Sequence, residues 1–226
     1  QDGVTFRAPI TVEITQNGAS FDGIDFRGKQ VIVKADNVTF TNCYFDTSAL
    51  IGQSPLTIMA GYANTVVDHS TFDGLKRDYS VPDLIVSNGI NTILSNNLIL
   101  NAPVDGVYIE SGRVVGNYIA GGGYFPPGHS DAIWIGKTTG SVVIENNVID
   151  WRTPADARVA PNNAIRISGE AGNVNDVTIR NNVLLGGNYT ITVTAGATWT
   201  HTADQVGTIT NVRIYDNVID YGVTGS

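Results

Sequence analysis

The sequence predicts an all-β solenoid: one chain wound into about seven or eight stacked coils of parallel strands. Three observations carry that expectation. An Asn recurs with an aliphatic residue three positions before it and another two positions after it. A second aliphatic triplet recurs between the copies. The distance between copies varies, as it does when one core turn tolerates insertions at its corners.

The Asn phrase fits Asn97 (Leu94, Ile99), Asn117 (Val114, Ile119), Asn147 (Ile144, Ile149), Asn182 (Ile179, Leu184) and Asn217 (Ile214, Ile219). Towards the N-terminus its central position becomes Ser70, Cys43 and Ile24. The spacings from 24 to 217 are 19, 27, 27, 20, 30, 35 and 35 residues. Stacked parallel strands lie about 4.8 Å apart, so each recurring position becomes a column of like side chains. The Asn column is expected to be a ladder of amides at a turn. Leu94, Val114, Ile144, Ile179 and Ile214 should form one inward ladder.

The second triplet reads Leu56-Thr57-Ile58, Leu84-Ile85-Val86, Val107-Tyr108-Ile109, Ile133-Trp134-Ile135, Ile165-Arg166-Ile167 and Ile191-Thr192-Val193. Alternation turns the outer two residues inward and the middle one outward. The outward column is then Thr57, Ile85, Tyr108, Trp134, Arg166 and Thr192. The next outward position holds Glu110, Gly136 and Ser168. The corner before the triplet reads Ser54, Pro82, Asp105, Asp131, Asn163 and Tyr189, with inward parity.

In chain order, residues 11–15 give the first strand and 21–47 two plain coils. Insertions follow around Ser48 to Ser54, Leu75 to Ser80, Gly121 to Gly128 and Trp151 to Arg158, all at one corner. The opposite corner carries Glu170 to Asp176 and the long stretch Ala195 to Thr210, with Trp199 and His201. Insertions stacked on one side of a solenoid build a wall and mark its binding face. Two walls beside an outward strand face make a trough.

Composition sets bounds. The 226 residues read as one domain, 1–226, with 42% hydrophobic residues and 25 Gly. No apolar run approaches the roughly 20 residues of a membrane span. One Cys, Cys43, excludes an internal disulfide and suits the core ladder. The net charge of −8 argues against a nucleic-acid partner, which needs a basic field. Seven of the 13 basic residues nevertheless lie between Lys76 and Arg166. No signal-peptide pattern precedes Gln1, so a leader was removed or the chain is a piece of a larger protein; assembly into an oligomer stays open.

Over three adjacent coils the trough should gather Asp105, Tyr108, Glu110, His129, Asp131, Trp134, Asn163 and Arg166. Tyr124, Lys137, Trp151 and Arg152 extend the candidate binding surface along the walls. Aromatic faces take the apolar faces of sugars, and Arg takes carboxylate or hydroxyl oxygens. The plainer reading has equal standing for the corner column, because Asp and Asn there also bond local backbone in Asx-turns.

These unequal coils, with their Asn ladder and the turns Glu145-Asn146-Asn147 and Arg180-Asn181-Asn182, resemble the right-handed parallel β-helix of the pectin-lyase-like superfamily over nearly the whole chain. The resemblance implies a secreted or cell-surface protein that meets polysaccharide. Asp105-Gly106-Val107 and Ser130-Asp131-Ala132-Ile133 resemble the aspartate coils of polygalacturonase-type glycosidases. The pattern departs at Ser130, where that family has a paired aspartate, and at Asn162-Asn163-Ala164, where it has Gly-His-Gly. The Asp-Pro-His-Glu of alginate epimerases and the Trp-Ile-Asp-His of pectate lyases are absent.

Three function classes follow. A polysaccharide-active enzyme would act on an acidic glycan in the trough. As a glycosidase it would pair Asp105 and Asp131 as acid and base or nucleophile. As a lyase it would use His129 or Tyr108 as base, with Arg166 or a bound Ca²⁺ neutralising a uronate. A glycan-binding, adhesin or tailspike module would use the same trough without chemistry, and a spacer would use none of it.

Overall fold

The computed structural model describes residues 10–77, 81–126, 129–195 and 207–220. Among them there is no helix, and 24 strands run in eight coils of three. Coil 1 holds β1 (Ile10–Ile14), β2 (Ser20–Asp22) and β3 (Asp25–Phe26); coil 2 holds β4 (Lys29–Val33), β5 (Thr39–Thr41) and β6 (Tyr44–Asp46). Coil 3 holds β7 (Leu56–Ile58), β8 (Val66–Asp68) and β9 (Thr71–Asp73); coil 4 holds β10 (Asp83–Ser87), β11 (Thr92–Ser95) and β12 (Leu98–Leu100). Coil 5 holds β13 (Asp105–Ile109), β14 (Gly112–Val115) and β15 (Tyr118–Ala120); coil 6 holds β16 (Asp131–Ile135), β17 (Val142–Glu145) and β18 (Val148–Trp151). Coil 7 holds β19 (Asn163–Ser168), β20 (Val174–Arg180) and β21 (Val183–Gly186); coil 8 holds β22 (Tyr189–Thr194), β23 (Ile209–Tyr215) and β24 (Val218–Asp220). First strands pair with first strands, second with second and third with third, giving three parallel sheets of eight strands. We call them sheets A, B and C. The fold is a right-handed parallel β-helix.

The Asn phrase makes the corner between sheets B and C. In each copy the residue before the ladder position is left-handed: Asn42, His69, Asn96, Gly116, Asn146, Asn181 and Asp216 have φ between 47° and 70°. Asn, Asp and Gly reach that region at least cost, which is why the phrase so often reads Asn-Asn. The ladder residue then turns inward. Asn147 Oδ1 accepts from the backbone N–H of Asn117 at 2.9 Å and from its Nδ2 at 3.0 Å. Asn147 Nδ2 donates to the Val114 carbonyl and to Asn182 Oδ1, both at 2.9 Å. The same pattern links Asn97 to Asn117 and Asn182 to Asn217. Ser70 Oγ serves the Cys43 N–H where no amide is present.

The inward ladder forms in register, Leu94 with Val114, Val114 with Ile144, Ile144 with Ile179 and Ile179 with Ile214; the first four are fully buried and Ile214, in the last coil, is 41% exposed. In the first coils aromatic rings replace aliphatics. In this ladder Phe21 stacks on Phe40 at 5.3 Å, and in the sheet C column Phe45 stacks on Phe26 at 5.0 Å and on Phe72 at 4.5 Å.

One triplet is corrected. Val86, not Ile85, registers with Tyr108, and Ile85 registers with Val107. Ile85 is fully buried. The triplet of coil 4 is therefore Ile85-Val86-Ser87, and the corner residue is Asp83 rather than Pro82.

The insertions all fall between sheets C and A, and a second set of loops lies between A and B. Around coils 4 to 7 the connections from sheet A to sheet B are short, from two residues between β13 and β14 to six between β16 and β17. Asp78 to Ser80, Pro127, Gly128, Trp199 and His201 lie outside the described residues.

Candidate functional site

The outer face of sheet A in coils 4 to 7 brings the chemistry together. Its corner column is Asp83, Asp105, Asp131 and Asn163 on β10, β13, β16 and β19. Strict alternation points this column inward, and Asp83, Asp131 and Asn163 are buried, at 8%, 1% and 2% exposure, although the alternation itself breaks beside them. Ala132 and Ile133 are both fully buried in the core, as are Ala164 with Ile165 and Leu84 with Ile85. Two successive inward residues turn the preceding one outward. Asp131 Oδ2 accordingly lies 3.6 Å from Arg166 Nη1, buried beneath that guanidinium rather than open on the face.

Close packing enforces the break. A Cβ at Gly106 would sit 2.5 Å from the Ala132 carbonyl oxygen. Beneath the corner Trp151 is fully buried in the core, its indole N–H donating to the Ser130 carbonyl at 2.9 Å. A Cβ at Gly122 would meet that ring at 2.4 Å. Trp151 was expected on the binding surface; it is a core side chain instead, because β18 carries its alternation one residue past Ile149 and Asp150. Ser130 is also buried, donating to the Val104 carbonyl at 2.7 Å and accepting from the Gly123 N–H.

Each aspartate does two things. Asp105 Oδ1 accepts from the Asp131 N–H at 2.6 Å, and Asp131 Oδ1 accepts from Asn163 N at 3.0 Å and Nδ2 at 2.6 Å. Those oxygens fasten one coil to the next. Asp131 Oδ2 and Asp83 Oδ1 are buried without a hydrogen-bond donor. Asp105 is only half-buried and is the most accessible of the three.

Crowding keeps these carboxyls protonated to higher pH. Burial pushes Asp83 up to about 7, with the Asp131 charge adding to it and a hydrogen bond with Asp105 opposing it. Burial, then the charges of Asp83 and Asp131, raise Asp105 well above the carboxylate range. Burial also raises Asp131, held back by Asn163, Arg166 and His129.

The platform beside them is aromatic. Tyr108 and Trp134 pack edge to face at 4.9 Å, and Trp134 Nε1 donates to Ser168 Oγ at 3.0 Å. The Arg166 guanidinium lies 5.8 Å from the Trp134 ring and pairs with Glu170. Tyr108 donates its hydroxyl to Glu110 at 3.0 Å, and Lys137 Nζ stands 3.3 Å from the same carboxylate. Burial, then Glu110, raise the Tyr108 phenol.

His129 is exposed beside Asp131. Tyr124 is buried within the wall, where Lys76 lies over its ring and bonds Asp156 at 2.7 Å. Arg152 is exposed on the sheet C side, paired with Asp150. Among the described residues no group of three or more His, Cys, Asp or Glu is arranged to hold a metal ion, so no Ca²⁺ position is assigned.

No protein-family model matches the chain. No curated protein matches it. Among solved structures, the periplasmic alginate epimerase AlgG is similar with a TM-score of 0.58 over 91% of this chain, at 9% identity. The match covers 47% of AlgG, so this chain spans about half its length. At that identity the likeness concerns the fold alone.

Proposed function

We propose that the protein is an exported polysaccharide-active enzyme that cleaves glycosidic bonds on the outer face of sheet A. The observation that carries this reading is the aspartate column, Asp83, Asp105 and Asp131, set beside the Tyr108–Trp134 platform and Arg166. Glycoside hydrolysis needs one carboxyl still protonated near neutral pH and a second that is ionised. Asp105 suits the first role, being accessible and raised by burial and its neighbours. Asp131 is the candidate for the second: burial raises it, and Asn163 and Arg166 beside it oppose that by favouring the charged form. The similar fold of AlgG, named as an alginate epimerase, supports a polysaccharide role, and its periplasmic description supports export.

A lyase is less well served. Tyr108 donates to Glu110 and its phenol is raised, which makes it a poor base. His129 is the base left to that mechanism. A second reading, a glycan-binding module without turnover, draws on the Oδ1 atoms of Asp105 and Asp131, which hold coils together whether or not chemistry occurs.

The test is incubation with neutral and uronate polysaccharides, following reducing ends and 232 nm absorbance. Reducing ends should appear without a rise at 232 nm. Asp105→Asn should slow turnover about 10²–10⁴-fold, the usual worth of a general acid, with no fall in melting temperature. A rise at 232 nm would make it a lyase. Binding without turnover would leave the module.

A further inference from the structure

We infer that the glycan taken on the sheet A face is neutral rather than a uronan. This rests on the reading of that face as a glycan site and narrows its substrate, against the sequence expectation of an acidic glycan. That expectation needed Arg166 to be available for a substrate carboxylate.

Both cations of the face are already held by carboxylates of the protein. Arg166 sits between Asp131, at 3.6 Å, and Glu170. Lys137 stands 3.3 Å from Glu110. On the wall Lys76 bonds Asp156, and Arg77 and Arg158 have partners of their own. Against these stand Asp83, Asp105, Asp131, Glu110 and Glu170. Protonation of Asp83 and Asp105 does not reverse the balance, because among the described residues Asp131, Glu110 and Glu170 still face Arg166 and Lys137, with His129 beside Asp131. A uronate would have to displace a protein carboxylate from Arg166 or lie against like charge. Both cost free energy in a partly buried site.

A neutral pyranose meets neither obstacle. Its apolar face can stack on Trp134, the partly exposed ring of the pair, with Tyr108 buried behind it, and its hydroxyls can donate to carboxylate oxygens in charge-assisted bonds. Asp105, the half-buried aspartate of the column, is the acceptor a sugar hydroxyl can reach, whereas Asp131 Oδ2 is buried against Arg166.

The experiment is an array of neutral and uronate oligosaccharides probed at pH 8, where histidine charge is small, with titration calorimetry on the bound sugars. Wild type should bind neutral oligosaccharides and no uronate. Trp134→Ala should weaken that binding at least tenfold. Glu170→Gln, which leaves Arg166 with Asp131 alone, should gain uronate binding. If wild type prefers uronates and Trp134→Ala weakens them, the inference is overturned and the site stands. If Glu170→Gln gains no uronate binding, Arg166 pairing does not set the preference and the inference is likewise lost. If no glycan of either class binds, or Trp134→Ala changes nothing, the site itself is overturned.

Discussion

Asp83 illustrates what a buried carboxyl costs when its neighbours are also acids. Folded, it titrates near 7 against an ordinary value of 3.8. The folded state therefore binds the proton more tightly. Its contribution is full below about pH 4 and is lost as pH rises through 7. At about 1.36 kcal/mol per unit, the loss over that window is up to about 4 kcal/mol, shared with Asp105 and Asp131. Asp83→Asn should raise the melting temperature at pH 8 by several degrees, at about 2–4 °C per kcal/mol for a chain of this size. At pH 4 it should change little. A melting temperature that falls at pH 8 would show that Asp83 is stabilising as a carboxylate. Asp83 was hidden in the sequence because Leu84, Ile85 and Val86 are all aliphatic, and alternation accepts either end of that run as the inward pair. Trp134 and Arg166 were legible because each stands between two isoleucines, which leaves one orientation for the middle residue.

At the scale of the element, the Asn ladder and the start of each sheet A strand behave differently. The ladder was readable because an amide at a fixed offset from two aliphatics has one structural use, and the hydrogen bonds follow it coil by coil. The strand starts were not readable, because consecutive inward residues such as Ala132 and Ile133 violate the two-residue period on which the reading depends. Small side chains at Gly106, Ala132 and Ala164 permit that break, and Trp151 fills the space beneath. Asn147→Leu should destabilise by about 3 kcal/mol. It strands the Asn117 N–H and amide and frees the Val114 carbonyl in a buried column. An unchanged urea midpoint would mean the ladder carries no net stability.

For the whole molecule, stacking decides both architecture and site. Each coil contacts its neighbours in register, so a side chain on one coil meets side chains 20 to 35 residues away in sequence. That is how three aspartates, an aromatic pair and an arginine from four coils reach one face, and how loops from different coils make one wall. The repeat made the fold legible end to end. The chemistry was only partly so, because hydrolase, lyase and binding module can share one solenoid and differ in a few side chains. The most direct measurement is a crystal of Asp105→Asn soaked with the oligosaccharide that binds best. A sugar ring should lie over Trp134, with a glycosidic oxygen within hydrogen-bond reach of the side chain at position 105. A sugar bound on sheet B or C, or an empty sheet A face at saturating ligand, would contradict the assignment.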